Sequence, residues 1–384
     1  MNPYDFARPN WNKPPDRRRP IWHHRLFGEG IPQLYSGQLE VDVLAETPFF
    51  ISDPRAVSRD VRRPAKFIQN KRGEYIIPGS SLKGMLRSVV ETLGNGCFTL
   101  FDGNYEPIYR DGRVRGYDAE YKRLIPDGFQ KCQTNTQLCI SCRIFGMLKE
   151  GARGVYLGKI NIGDATVYAG QIEEYKPIYT GVLVNPKPHH QDFYLDESQQ
   201  HIAGRKYYFH HSPDVEPIQE NKLVYFGENI LANRYIQPLN KGTTFHFRID
   251  FTNLEADEFA ALLLAIRLED GMRHKIGYAK PLGLGSIQLI PTKLTLVDYA
   301  KRYTQPRAKR GMTPYEASSL EDLFNQQIIS FSRTNLVRIA MDDLRRIWRW
   351  PPDRDVEYYY PSKRDWFDTP DSIGKRIADT RKTP

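Results

Sequence analysis

EYIIPGSSLKGMLRSVVETLG, at residues 74–94, is the stretch of sequence that decides the fold. A short apolar strand runs into a Pro-Gly-Ser-Ser turn, and apolar residues then recur at helical spacing until Gly94. Ser80 and Ser81 stand where side chains commonly cap a helix N-terminus. The stretch therefore predicts a strand, a tight turn and a helix in direct succession.

Regular patterns on both sides of this stretch predict the other core elements. They are strands at 38–45, 159–168 and 243–251, a helix at 255–268, and a glycine-rich loop from Gly277 that enters a last strand at 286–290. The resulting order is strand, helix, strand, strand, helix, strand. This order is typical of the split βαβ unit, so we expect an α+β, ferredoxin-like (RRM-type) fold with an antiparallel sheet backed by two helices.

Less regular segments surround this core domain, which we place at residues 38–294. Residues 1–37 are rich in Pro, Arg and Trp and predict an extended N-terminal arm. Two insertions are expected, one at 97–146 that holds all four cysteines and one at 169–241 with few periodic signals, which predicts a protruding structure. Residues 295–384 predict a helical extension, with helices at 319–330 and 335–350.

Composition restricts the class of protein. The 384 residues, of 44.6 kDa, contain 55 Lys or Arg against 46 Asp or Glu, and the formal net charge is +9. This balance favours a polyanionic partner, of which nucleic acid is the first candidate. No run is long and apolar enough to span a membrane, and the first 20 residues carry charges and prolines where a signal peptide is apolar, so we expect a cytoplasmic protein.

Four cysteines lie within one 46-residue stretch, at Cys97, Cys132, Cys139 and Cys142. Cys139 and Cys142 have the C-x2-C spacing typical of ligands of a tetrahedral metal ion. A secreted protein stabilised by disulfides usually has more cysteines in a shorter chain. We interpret the four as ligands of a structural zinc ion. The alternative is a set of reduced, unligated thiols.

Basic residues are concentrated between residues 53 and 87, where nine Lys or Arg stand against three Asp or Glu. Such density suits a phosphate backbone, although a solvated loop followed by a well-capped helix is an equal alternative. The candidate RNA-binding residues of this segment are Arg55, Arg59, Arg62, Arg63, Lys66, Ser80, Ser81, Lys83 and Arg87.

Two further groups could contact an RNA. The segment HKIGYAKPLGLGSIQL, at 274–289, contains Gly283 and Gly285 near Lys275 and Lys280. Because glycine has no Cβ, a phosphate could approach the main chain there; a plain tight turn is the alternative. His210 and His211 belong to a histidine cluster that could act as acid and base on RNA, but polar or stacking contacts are the preferred interpretation.

Asp53 and Asp60 are acidic residues embedded in the basic loop. A carboxylate at such a position can recruit Mg²⁺ or Mn²⁺, or orient an attacking hydroxyl. Charge balance among neighbouring arginines is the alternative.

IPGSSLKGMLRS, at 77–88, resembles the strand–turn–helix signature of the RAMP superfamily of CRISPR effector subunits, particularly the backbone subunits of type III interference complexes. CISCRIFG at 139–146, KINIGDA at 159–165 and GYAKPLGLGSI at 277–287 follow in the family's order, so the resemblance spans residues 38–294. NPYDF at 2–6, FHHSPD at 209–214 and YYYPSKRDWF at 358–367 are similar to an insertion-bearing group found with type III-D systems.

The resemblance implies a subunit that binds guide RNA (crRNA) and complementary target RNA within a multisubunit ribonucleoprotein of antiviral defence. It also implies a thumb-like structure, here 169–241, that distorts the guide–target duplex, and often an endonuclease Asp in the loop after the first strand that cleaves target RNA with a divalent metal. By position that loop is 49–66, and Asp60 is preferred to Asp53 because arginines flank it more closely.

Two alternatives stay open. One is a non-catalytic capping or scaffold subunit with the same fold. The other is a metal-independent RNase that processes the guide with the histidine cluster. The RNase needs a histidine near the glycine-rich loop or the first helix, and in sequence only His274 lies there.

Overall fold

A computed structural model describes residues 1–21, 33–53, 63–99, 107–110, 113–117, 124–148, 155–168, 172–183, 194–198, 200–221, 225–226, 230–231, 233–304, 306, 311–358 and 360. The strands are β1 (Tyr4–Ala7), β2 (Tyr35–Ala45), β3 (Ile76–Ile77), β4 (Pro107–Arg110), β5 (Arg113–Tyr117), β6 (Gly146–Met147), β7 (Tyr156–Leu157), β8 (Ile160–Ile162), β9 (Ala165–Val167), β10 (Ile178–Thr180), β11 (Arg205–Tyr208), β12 (Gln219–Glu220), β13 (Tyr225–Phe226), β14 (Ile230–Leu231), β15 (Tyr235–Ile236), β16 (Thr244–Leu254), β17 (His274–Lys275), β18 (Ser286–Val297) and β19 (Met312–Glu316). The helices are α1 (Gly79–Leu93), α2 (Ile140–Phe145), α3 (Ala256–Arg267), α4 (Tyr299–Thr304), α5 (Ala317–Thr334) and α6 (Arg338–Ile347).

Three long antiparallel strands form the centre of the main sheet, in the order β18–β2–β16. β8 and β9 pair with the free side of β16, and β3 pairs with β9. With the helices included, the order of the core elements is β2, α1, β8 and β9, β16, α3, β18, which places the strands as a split βαβ unit does. The α+β class predicted from the sequence is confirmed.

Alternation along the strands directs one face of the sheet into the core. In β2, Leu39, Val41 and Val43 are buried while the residues between them are partly exposed. α1 contributes Leu82 and Leu86 to the same core. Nine of the twelve residues of α3 are buried, because α1 and α5 both contact it.

Two local features differ from the sequence prediction. The strand expected at 159–168 is divided into β8 and β9, since Asp164 between them accepts a hydrogen bond of 2.8 Å from the backbone N–H of Gly79. The N-cap of α1 is Pro78, and no side chain caps the helix. The expected capping by Ser80 or Ser81 is therefore wrong: both lie within the helix, and Asp164 satisfies the Gly79 donor instead.

Several described parts of the insertion at 169–241 pack on the body. Ile178, Phe209 and Ile236 belong to the main hydrophobic core. β11 pairs with β1 of the N-terminal arm, so these two segments hold each other against the domain. The expected protruding character therefore does not apply to these described parts, because their apolar residues reach the core without a local repeat.

The C-terminal helices also pack on the domain. β19 extends the sheet beside β18, and α5 follows directly and contacts α3. α6 contacts β1, where Asp343 receives two hydrogen bonds of 2.8 Å from the guanidinium of Arg8. Within the part of the chain that the structure describes, no helix has the length and apolar character needed to cross a bilayer.

Candidate functional site

The glycine-rich loop between β17 and β18 is held tightly against the first part of the sheet. Gly277 has a φ of 86°, and a Cβ on it would lie 2.5 Å from the carbonyl oxygen of Phe50. Gly285 has a φ of 82°, and a Cβ there would lie 2.0 Å from the carbonyl oxygen of Ile276. Only glycine satisfies both the left-handed backbone and the close approach. The glycines thus allow the loop to fold back on β17.

This loop, α1 and β11 enclose a cavity of about 530 Å³, which we call the lysine cavity. Lys206, Lys275 and Lys280 line it together with Ser81 and Tyr278. No Asp or Glu lines the cavity among the residues that the structure describes. Sequence elements that are far apart therefore place three cations around one space.

The ammonium groups of Lys275 and Lys280 have main-chain partners. Lys275 donates to the carbonyl oxygens of Lys280 and Leu284, at 3.2 and 3.1 Å, and Lys280 donates to that of Gly277 at 2.8 Å. Burial lowers the pKa of Lys275 to about 7, with a smaller contribution from Lys280, and burial also lowers the pKa of Lys280. The carbonyl dipoles therefore compensate the charges only in part.

Lys206 is the lysine that the sequence analysis did not single out. Its Nζ lies 3.5 Å from the ring centroid of Tyr4 and 5.1 Å from that of Tyr208. Burial lowers its pKa to about 8. Aromatic faces stabilise a cation without neutralising it, so Lys206 can still attract an anion.

The basic residues of α1 face a different direction. Lys83 is half-buried, and its pKa is lowered by burial and by the neighbouring Arg87. Arg87 donates to Glu91 at 2.9 Å, to the carbonyl oxygen of Gly146 at 2.9 Å and to Cys142 Sγ at 3.5 Å. Arg87 thus joins α1 to the segment that carries the cysteines. Ser80, at the start of α1, is exposed to solvent.

The predicted basic loop is described only at its ends. Arg63 and Lys66 are exposed, and Asp53 is partly buried next to Ser52, which lines the lysine cavity. Asp60 and the arginines Arg55, Arg59 and Arg62 lie outside the described residues.

The predicted histidines are buried beside the glycine-rich loop. His210 Nε2 donates to the carbonyl oxygen of Arg273 at 3.0 Å, so its Nδ1 accepts from the Ser286 hydroxyl at 2.8 Å. His211 lies against Gly283, where a Cβ would stand 3.1 Å from its Nδ1. Burial, with the nearby Lys275, lowers the pKa of His210 well below its ordinary value and that of His211 to about 3. Both rings are therefore neutral at physiological pH.

The four cysteines converge as predicted. Their Sγ atoms all lie within 4.8 Å of one another, and Cys97 Sγ is 3.7, 3.8 and 3.5 Å from those of Cys142, Cys132 and Cys139. Tetrahedral thiolates at about 2.3 Å from a zinc ion would be about 3.8 Å apart. All four are buried and none forms a disulfide. The group can therefore hold one metal ion.

A buried ionic network, absent from the sequence prediction, attaches this metal-binding segment to the core. Arg143, in α2, donates to Glu258 at 2.7 Å and to Asp257 at 2.8 Å. Lys159 donates to Glu258 at 2.7 Å, and Arg18 of the N-terminal arm pairs with Asp257. α2 is thus fixed to the N-terminus of α3 by paired charges.

Comparison with known proteins gives a family match and similar solved structures. The family model for the RAMP superfamily matches residues 42–288. Among solved structures, a chain of a "Type IV-B CRISPR Complex" is similar at 17% identity and a TM-score of 0.33, covering 66% of this chain and 90% of that chain. No curated protein matches significantly. Because the family model covers more than half of the sequence, the chain belongs to the RAMP superfamily.

Proposed function

We propose that this chain is a guide-RNA-binding subunit of a CRISPR effector complex, of the type III class, and that it works beside other effector subunits on complementary target RNA. The observation that carries the proposal is the lysine cavity. One buried lysine, Lys275, and two partly buried ones, Lys206 and Lys280, line it beside the glycine-rich loop, in a chain of net charge +9. Membership of the RAMP superfamily and the motif resemblance described above support the same function.

A phosphate is the ligand that this cavity is suited to bind. Buried charges without counterions are costly, and an anion that enters the cavity removes that cost for several lysines at once. Ser81 adds a hydroxyl donor on the same wall. A phosphate backbone satisfies the lysines irrespective of base sequence, as guide binding requires, because base pairing supplies the specificity.

Target cleavage is the second part of the proposal. A divalent metal recruited by Asp60 in the basic loop would act on the target phosphate, and the arginines around it would supply ground-state affinity. The capping or scaffold subunit is the alternative if neither Asp60 nor Asp53 is catalytic. The histidine RNase is disfavoured, since acid–base catalysis needs pKa values near neutrality, and His210 and His211 are buried and neutral.

Replacing Lys206 or Lys280 with methionine is expected to weaken binding of single-stranded RNA roughly tenfold, the usual cost of losing one charged hydrogen bond. The slope of log affinity against log salt should fall by about one for each lysine that contacts a phosphate. Fluorescence anisotropy with labelled RNA at several salt concentrations measures both quantities. Methionine keeps the length of the lysine side chain, so both variants should fold, and thermal unfolding of each variant checks this.

Lys301→Met is the matched control, since Lys301 is an exposed residue of α4 that pairs with Asp298 and does not line the cavity. It should leave RNA affinity almost unchanged. Equal losses in all three variants would indicate a general charge effect, and no loss in Lys206→Met or Lys280→Met would contradict phosphate binding in the lysine cavity.

RNA affinity is also expected to fall as pH rises from about 6.5 to about 8.5. The pKa values of Lys275 and Lys206 are about 7 and about 8, so both lose charge within this window in the free protein. A bound phosphate favours the protonated form, so binding takes up protons and weakens when protons are scarce. Titrations across this range test the expectation; a flat profile, or one that Lys206→Met does not flatten, would speak against it.

A further inference from the structure

A second and larger cavity lies beside the lysine cavity, with a volume of about 1040 Å³. We call it the apolar cavity, because Phe98, Phe145 and Tyr156 are among its lining residues. Leu148 and Leu157 also line it and are 79% and 87% exposed. Its size is at the top of the ~300–1,000 Å³ range of pockets that bury small ligands, so it can hold more than one planar ring.

The apolar cavity is strongly basic as well as apolar. Its charged lining consists of five cations and one acid within the described residues: Lys83, Arg87, Lys131, Arg205, Lys206 and Glu91. The charge of the one acid, Glu91, is paired, since Glu91 receives hydrogen bonds from Arg87 at 2.9 Å and from Arg205 at 3.3 Å. An apolar protein segment would cover these cations without compensating them, whereas a nucleotide brings a flat apolar base and an anion together.

Two observations connect this cavity to the lysine cavity. Lys206 and Ser88 line both, so the two spaces share a wall. The guanidinium carbon of Arg205 lies 4.0 Å from the ring centroid of Phe98, and Trp11 stacks on the same ring with 5.6 Å between the centroids, so a base would pack on the Arg205 guanidinium and not on the phenyl ring. An RNA whose phosphate binds beside Lys206 would therefore have an adjoining cavity for its bases.

We propose that the apolar cavity receives unpaired nucleobases of the RNA whose phosphates bind in the lysine cavity. This inference rests on the proposed function and adds a base-binding subsite to it. Stacking on aromatic faces is tolerant of sequence, so the subsite would accept any base with a preference for the larger purines. The cations at its rim hold the flanking phosphates.

Gly84 gives a direct test, because it lines the apolar cavity, is exposed, and a Cβ on it would meet no atom within 4 Å. Gly84→Trp places an indole in the cavity, and Gly84→Ala is the matched control. The full chain, with its metal, is titrated with oligoadenylate and with an abasic oligomer of the same length and charge. The wild type and Gly84→Ala should prefer oligoadenylate by about tenfold or more, since stacking on aromatic side chains contributes that much per base.

Gly84→Trp should lose this preference while its affinity for the abasic oligomer stays at the wild-type value. Equal affinity of the wild type for both oligomers would overturn the base subsite and leave the proposed function intact, provided that Lys206→Met still weakens both. Failure of every form to bind either oligomer would refute the proposed function itself. If Gly84→Trp instead abolished association with other subunits and kept the base preference, the cavity would be a protein docking site and the inference wrong.

Discussion

Replacing Cys142 with serine is expected to abolish zinc binding and to unfold the cysteine segment. The four Sγ atoms lie within 4.8 Å of one another, and α2, which carries Cys142, has only six residues. A helix of that length is not stable by itself, so the metal must supply much of the local free energy of folding. A structural zinc contributes about 10–16 kcal/mol of binding free energy in small zinc domains, far more than any single contact here.

Metal content per chain and amide hydrogen exchange over 132–145 measure the two effects. The wild type should contain about one zinc ion per chain, and Cys142→Ser should lose both the metal and the exchange protection. Thr134→Ala is the matched control, because Thr134 is exposed between Cys132 and Cys139. Wild-type protein that keeps its protection after removal of metal by a chelator would show that the thiols need no ion.

The loss of metal should also destabilise α1. Arg87 donates to Cys142 Sγ at 3.5 Å and to Glu91 at 2.9 Å, so the helix that borders both cavities is bound to the cysteine segment. Arg143, next in sequence to Cys142, joins that segment to α3 through Asp257 and Glu258. The cysteine segment therefore joins the two helices that back the sheet.

The parts of the fold that could be predicted are those with strong local patterns. The sequence patterns of β2, α1, β16 and α3 indicate their type, since period-two or helical spacing persists over eight residues or more. The pairing of β1 with β11 joins residues 4–7 to residues 205–208, and nothing local marks it. The packing of Ile178, Phe209 and Ile236, in the described parts of 169–241, was not predicted for this reason: sparse apolar residues are buried by partners that are distant in sequence.

For the candidate site too, residues with local sequence signals could be predicted and residues placed by distant contacts could not. The cysteine cluster and the two lysines of the glycine-rich loop were predicted, because spacing and loop chemistry are local signals. Lys206 was missed, since contacts between segments distant in sequence, such as the β1–β11 pairing, place it at the lysine cavity. Arg143 was missed too, although a charged residue within the apolar run 140–145 is a usable signal of a buried ion pair.

The proposed target cleavage would depend on Asp60, which lies outside the described residues, so cleavage assays are its test. The loop after β2 is basic and lies close to the lysine cavity at its first end, where Ser52 lines the cavity. A carboxylate is not selected by attraction to RNA, because it repels the phosphates that the arginines attract. Its presence amid arginines is explained if it binds a divalent metal that acts on the transition state.

Asp60→Ala is therefore expected to abolish cleavage at one position of a bound target RNA while the target stays bound. Loss of a metal-coordinating group should lower the rate by orders of magnitude, and Asp53→Ala, which changes the second candidate, should do less. Cleavage mapped on gels with the assembled complex, in Mg²⁺ and in EDTA, measures this. Unchanged fragments from both variants would favour the non-catalytic scaffold subunit. A cut that resists EDTA and disappears in His210→Ala or His211→Ala would instead indicate the histidine RNase, against the neutral, buried state of both rings.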